Sequence, residues 1–137
     1  MGSLLDTDVA SQPVKAMPDE RVVRWLSQQR PGDLYLSTIS LLEIRKGIEA
    51  LPHGRKRERL TSWLREDLRS QYAERLVGVD DRIAEDAGLL IAKGKKAGAE
   101  PQVADALIAA TARVLGLRLA TLNRRHFEKL DVELVEF

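Results

Sequence analysis

The stretch Leu34-Tyr35-Leu36-Ser37-Thr38-Ile39-Ser40-Leu41-Leu42-Glu43-Ile44-Arg45-Lys46-Gly47-Ile48 changes its hydrophobic period partway along. Residues 34–39 are short, apolar and β-prone, which predicts a strand. From Ser40 the apolar residues recur as Leu41, Ile44, Ile48 and Leu51. That is the spacing of one helical face, and Pro52 ends it. A strand running straight into a helix is half of a βαβ unit, and the alternation repeats on both sides. Upstream, Leu4-Leu5 ends in Asp6, with Gly2-Ser3 a poor strand opening. Residues 19–29 predict a helix capped by Asp19, with Val22, Val23 and Leu26 on one face. Downstream, residues 55–72 predict a longer helix with Leu60, Trp63, Leu64, Leu68 and Tyr72 on one side. Residues 75–79 read as a strand. Asp80 or Asp81 then caps a helix carrying Ile83, Ala87, Leu90 and Ile91, which ends around Gly94–Gly98. Residues 102–115 predict a helix with Ala104, Leu107, Ile108, Thr111 and Leu115 inward, closed by Gly116. Residues 118–121 and 133–137 read as strands. Five short strands separated by helices define an α/β fold: a mostly parallel five-stranded sheet with helices on both faces.

Composition narrows the function. The 137 residues fit a single domain over 1–137, large enough to bury a core without staples. Cysteine is absent, which excludes a disulfide scaffold, a thiolate metal site and a Cys nucleophile. Two histidines, His53 and His126, argue against a multi-histidine zinc site. Basic residues number 22 against 21 acids, so a polybasic coat is excluded. No apolar run reaches the ~18 residues of a membrane span. A cytoplasmic protein with no membrane partner is the expectation.

In an open α/β sheet, ligands bind beyond the carboxyl ends of the strands. Asp6 ends the first strand, with Asp8 two residues on. Glu43 is expected in the first turn of the helix after the second strand, Asp105 in the first turn of the 102–115 helix, and Asn123 just past the fourth strand. Each has a plain structural explanation. Ser40-Leu41-Leu42-Glu43 fits a capping box. Asp105 complements a helix dipole. Asp6 and Asn123 suit turns. Those explanations give no reason for all of them to share one rim. Clustered carboxylates repel unless a cation intervenes. Oxygen-only ligands without Cys or His suit Mg²⁺ or Mn²⁺, which can neutralise charge and activate water at a phosphodiester. The residues therefore point to phosphodiester or phosphoryl chemistry. An aspartyl-phosphate phosphatase is disfavoured, because Asp6-Thr7-Asp8 lacks the Lys and Ser/Thr companions.

Four segments resemble the motifs of PIN domains, in order and across nearly the whole chain. They are Leu4-Leu5-Asp6-Thr7-Asp8-Val9, residues 37–48, Val103-Ala104-Asp105-Ala106-Leu107-Ile108-Ala109-Ala110-Thr111-Ala112, and Ala120-Thr121-Leu122-Asn123-Arg124-Arg125-His126-Phe127. Length and wording are most similar to VapC-type toxin ribonucleases, close to the FitB-like branch. The resemblance implies a three-layer α/β/α sandwich and Mg²⁺-dependent cleavage of RNA by a toxin. It implies a VapB-like antitoxin partner, DNA contact only through that antitoxin, and a homodimer. Asp6, Glu43 and Asp105 carry over as metal-binding acids, with Asn123 a fourth catalytic position. Asn123 stands where the family usually has Asp, and Asp8 where Asn or Ser is common. The alternative function is a non-catalytic module holding a protein partner or DNA.

Other features have competing explanations. Arg55-Lys56-Arg57-Glu58-Arg59 is a solvated helix face or a guide for phosphates. Gly47, costly inside a helix, serves either helix packing or clearance beside the pocket. His126 is expected on a loop surface. Trp25 and Trp63 are placed on faces that bury against another chain.

Overall fold

The computed structural model describes residues 1–137. Four parallel strands form its sheet: β1 (Ser3–Leu5), β2 (Leu34–Ser37), β3 (Leu76–Val77) and β4 (Arg118–Ala120). Their spatial order is β3-β2-β1-β4, with β1 central. The chain first builds outward from β1 through β2 to β3, then returns to add β4 on the other side. The order thus reverses between β1 and β4. A crevice opens there, at the strands' carboxyl ends, where open α/β sheets bind ligands.

The helices are α1 (Thr7–Ala10), α2 (Glu20–Ser27), α3 (Thr38–Glu49), α4 (Arg55–Ser62), α5 (Arg69–Gln71), α6 (Asp81–Lys96), α7 (Val103–Leu115) and α8 (Arg124–Phe127). They cover both sheet faces, the expected α/β/α layering. Strand side chains alternate between two cores, as the pleat requires. Leu5, Leu34, Leu36 and Ala120 pack with Val9, Val22, Trp25, Ile44 and Leu68. Leu4 and Leu119 pack on the other face with Ile83, Leu90, Ile108 and Phe127. Leu4 is fully buried, and its β-partners are Tyr35 and Leu119. Leu4→Ala is expected to destabilise the fold by about 2–5 kcal/mol, through lost burial and a residual cavity. Urea unfolding measures it; a change below about 1 kcal/mol would mean that the second core closes over the gap.

Local signals explain most boundaries. Asp19 and Asp80 cap α2 and α6 by accepting backbone N–H bonds from Val22 and Ile83. Gly116 closes α7 in the left-handed region, at φ 66°. Several expectations need correction. The sheet has four strands instead of five. Residues 133–137 join it only through one parallel bridge, Leu119 with Leu134. The Val135 carbonyl, which would extend that ladder, accepts instead from Arg124 Nη1 at 2.9 Å. Ser3 belongs to β1 and is buried. Gly2 suits its position: a Cβ there would stand 2.7 Å from Leu117 Cδ2.

The second strand stops at Ser37, whose hydroxyl accepts from the Ile39 N–H and starts α3 three residues early. The helix over 55–71 is continuous but widens into a π-helical turn at Trp63–Leu68. On α2, Trp25 is buried in place of Val23, edge-on to Phe137 at 5.5 Å, so it serves this chain's own core. On α7 an alanine-rich face is buried against the sheet and α6, and Leu115 is left exposed. No helix is long and apolar enough to cross a membrane.

Candidate active site

The reversal between β1 and β4 brings the rim residues together. Asp6, Thr7, Asp8, Ser11, Lys15, Glu43, Gln102, Asp105, Asn123 and His126 line one pocket of about 370 Å³ without a single apolar side chain. The four sequence-predicted positions, Asp6, Glu43, Asp105 and Asn123, are all among them, as is Asp8.

Asp6 is the centre. Its N–H extends the β1–β4 ladder to Ala120 O, which sets the carboxylate at the end of the central strand. Oδ1 accepts from Thr7 N at 2.8 Å, and Oδ2 accepts from Thr121 Oγ1 at 2.7 Å. Burial, the charge of Asp8 and the charge of Glu43 together outweigh those bonds. They push the Asp6 carboxyl up from 3.8 to about 6.

Asp8 is half-buried on α1. Its Oδ2 accepts from Leu122 N at 3.1 Å, while its Oδ1 is buried with no hydrogen-bond partner. Burial raises its pKa. Asp105, in the first turn of α7, is also raised by burial, opposed by His126. Three carboxyls of one pocket are thus raised, each chiefly by burial.

Glu43 is not a helix cap. Ser37 caps α3, so Glu43 lies in the second turn and Ser40 is buried within the helix. Glu43 Oε1 accepts from Thr7 Oγ1 at 2.7 Å, and Ser40 Oγ stands 3.0 Å from the same hydroxyl. Thr7 has one hydroxyl proton, which goes to Glu43, so Ser40 supplies the proton of the second contact. Thr7 thereby ties the β1 end to α3. It escaped the sequence reading because a threonine between two aspartates carries no signal of its own. Thr121 escaped in the same way: it donates to Asp6 and accepts from Asn123 N at 3.0 Å.

Asn123 is exposed at the start of α8 and makes no side-chain cap bond. His126, on the same helix, is not a free surface residue. Its Nδ1 stands 3.1 Å from Asp105 Oδ2, with side-chain exposures of 53% and 15%.

The donor chemistry fits a hard divalent cation. The lining is dominated by oxygen donors, and the buried Asp8 Oδ1 is left unsatisfied. No three carboxylate or imidazole groups form a ready-made metal cage. An ion there would be held directly by one or two of the carboxylates, with water and substrate oxygens completing its shell, as is typical of Mg²⁺.

A second concavity adjoins the pocket, sharing Thr7, Ser11, Lys15 and Glu43. This groove of about 680 Å³ runs between α3 and α4 over Ile44, Ile48, Leu51, Leu60 and Trp63, with Lys56 and Arg59 on its wall. Gly47 faces it, and a Cβ there would meet nothing within 4 Å. Helix packing therefore does not call for glycine at this position. Arg57 of the basic run points elsewhere, bonding Leu51 O and Glu49.

A parallel α/β/α sheet with a carboxylate pocket at its reversal is the layout of the PIN domain, whose family matches residues 3–133; the chain belongs to that family. Among individual proteins it is 36% identical to the toxin FitB of Neisseria gonorrhoeae over 129 residues, 94% of this chain and 93% of that protein. It is 33% identical to a VapC ribonuclease of Sinorhizobium fredii over 132 residues, 96% and 94% of the two chains. A solved structure of FitAB bound to a DNA fragment superposes with a TM-score of 0.89 at 34% identity. That match covers 97% of this chain and 93% of that one.

Proposed function

We propose that this protein is a metal-dependent endoribonuclease and the toxin of a toxin–antitoxin pair. The observation that carries this reading is the group of four carboxylates at the β1–β4 crevice, with the pKa of Asp6 raised to about 6 and Asp8 Oδ1 left without a partner. Such an arrangement is unfavourable alone and favourable around a cation. A relative at 33% identity is named a ribonuclease, which supports RNA as the substrate. A relative at 36% identity is named a toxin and its solved assembly, FitAB, holds DNA. Those names support an antitoxin protein as partner, with DNA reached through it.

Asp6, Glu43 and Asp105 would hold a Mg²⁺ or Mn²⁺ ion, directly or through water. When bound, the ion supplies charge neutralisation at the phosphodiester and activation of water. The chain's own groups do the positioning. Thr7 and Thr121 fix the Asp6 oxygens, and Thr7 fixes Glu43. Asn123 offers an amide to orient water. Lys15, without an ion-pair partner, faces the pocket and can meet a phosphate.

The test is thermal melting with and without Mg²⁺ or Mn²⁺, paired with RNA cleavage. A ligand that binds only the native state at a hundred times its Kd adds about 2.7 kcal/mol. The melting temperature is therefore expected to rise by several degrees with either ion. No shift at millimolar metal, together with intact RNA, would leave the binding-module alternative.

A further inference from the structure

We propose that the groove between α3 and α4 seats a base of the RNA immediately beside the scissile phosphate; the inference rests on the ribonuclease reading above. A phosphodiester held in the carboxylate pocket has a nucleotide on either side. Each must lie against the surface that borders the pocket. The groove is such a border, because it shares Thr7, Ser11, Lys15 and Glu43 with the pocket. The concavities beside α2, at the carboxyl end of α7, and between α3 and the π-helical turn share none of the pocket's residues.

The groove combines two chemistries, and a nucleotide has both. Its floor is apolar, with Ile44 and Ile48 from α3, Leu60 from α4, and the half-buried Trp63. An aromatic ring among aliphatic side chains is a place for a base, and stacking of that kind accepts any of the four. Its cations are Lys15, Lys56 and Arg59, and none of the chain's ion pairs uses them. Glu43, the one acid in the lining, stands at the end shared with the pocket. A wall of free cations complements the phosphates on which a base hangs. Gly47 keeps the groove open one turn after Glu43: glycine is unfavourable inside a helix, and a Cβ there would meet only empty space. A base enters such a slot only when it is unpaired, so the RNA is single-stranded at the cut.

The experiment follows steady-state cleavage, in Mg²⁺, of a short single-stranded RNA that the wild type cuts at one position. In two companion RNAs the base is removed from the nucleotide on one or the other side of the cut, with every phosphate kept. For wild type, one of the two removals is expected to raise KM roughly tenfold, the scale of one stacked base. Gly47→Leu fills the groove and improves the helix, so it should melt at or above wild type. Its KM for the intact RNA should rise by a similar factor, with little further rise when that base is removed. The two losses then fail to multiply, as for partners in one contact. Equal KM for all three RNAs in wild type would overturn the proposal. Losses that multiply in Gly47→Leu would overturn it as well. So would a wild-type KM for the intact RNA in that variant, which would leave the groove to a protein partner. RNA left uncut by the wild type would overturn it together with the ribonuclease reading, a result distinct from RNA that is cut whether or not its bases are present.

Discussion

Asp6→Asn is expected to melt above wild type in chelator at pH 7 and to cleave RNA more than about a hundredfold more slowly in Mg²⁺, the scale for losing a preorganised charged group. Both effects have one source. The folded protein holds the Asp6 carboxyl at about 6, against an ordinary 3.8. A carboxyl raised by folding favours the protonated native state. Its penalty is absent below pH ~4, grows as pH rises through the interval to 6, and is complete above it. At about 1.4 kcal/mol per unit, that is on the order of 3 kcal/mol at pH 7. Asparagine carries no such penalty, so the variant's advantage in urea unfolding should be small at pH 4 and largest at pH 7. Asp8 and Asp105 are shifted the same way and persist in the variant, so both proteins should still lose some stability as pH rises. Saturating Mg²⁺ should reverse the order, because the wild type gains more from the ion. Cleavage near the wild-type rate would remove Asp6 from the active site.

Glu43→Gln tests a different link. The Gln side-chain oxygen can still accept from Thr7 Oγ1, so the tie between β1 and α3 survives. Stability in chelator should stay within about 0.5 kcal/mol, since no buried group is left unpaired. What disappears is a charge beside Asp6. Cleavage should drop roughly a hundredfold, with weaker stabilisation by Mg²⁺. If activity survives and stability does not, Glu43 is a structural tie only.

The layering of the fold was legible because strands and helices differ in period. Leu34 to Ser37 and the stripe Leu41, Ile44 and Ile48 announce themselves, as do the caps Asp19 and Asp80. What was not legible depends on competition between neighbours. Thr38 and Ile39 are good strand residues, yet a capping hydroxyl at Ser37 claims them for a helix. Residues 133–137 have strand propensity, but an arginine side chain takes the carbonyl that would carry the ladder on. Trp25 looked like an interface residue because periodicity shows that a face is apolar, not what covers it. The acids were legible as a group, since several elements ended in them on one rim. Their supports were not. Thr7, Thr121 and Ser40 acquire meaning only from partners up to 115 positions away, as in the bond from Thr121 to Asp6. His126 was set aside for the same reason: its relation to Asp105 exists only in three dimensions.

The strand order has a consequence for biosynthesis. β1 leaves the ribosome long before its second neighbour, which it meets through Ser3 with Arg118 and Leu5 with Ala120. Domains fold as they emerge, from the amino end onward. Here β1 and β2 can associate early, yet the crevice beside Asp6 has no far wall until residues 118–127 are made. A nascent chain can therefore gather Asp6, Asp8 and Glu43 early, but Asp105 and Asn123 join them only when the later segments are made. Any chemistry of the complete pocket therefore waits until residues 118–127 have packed against β1.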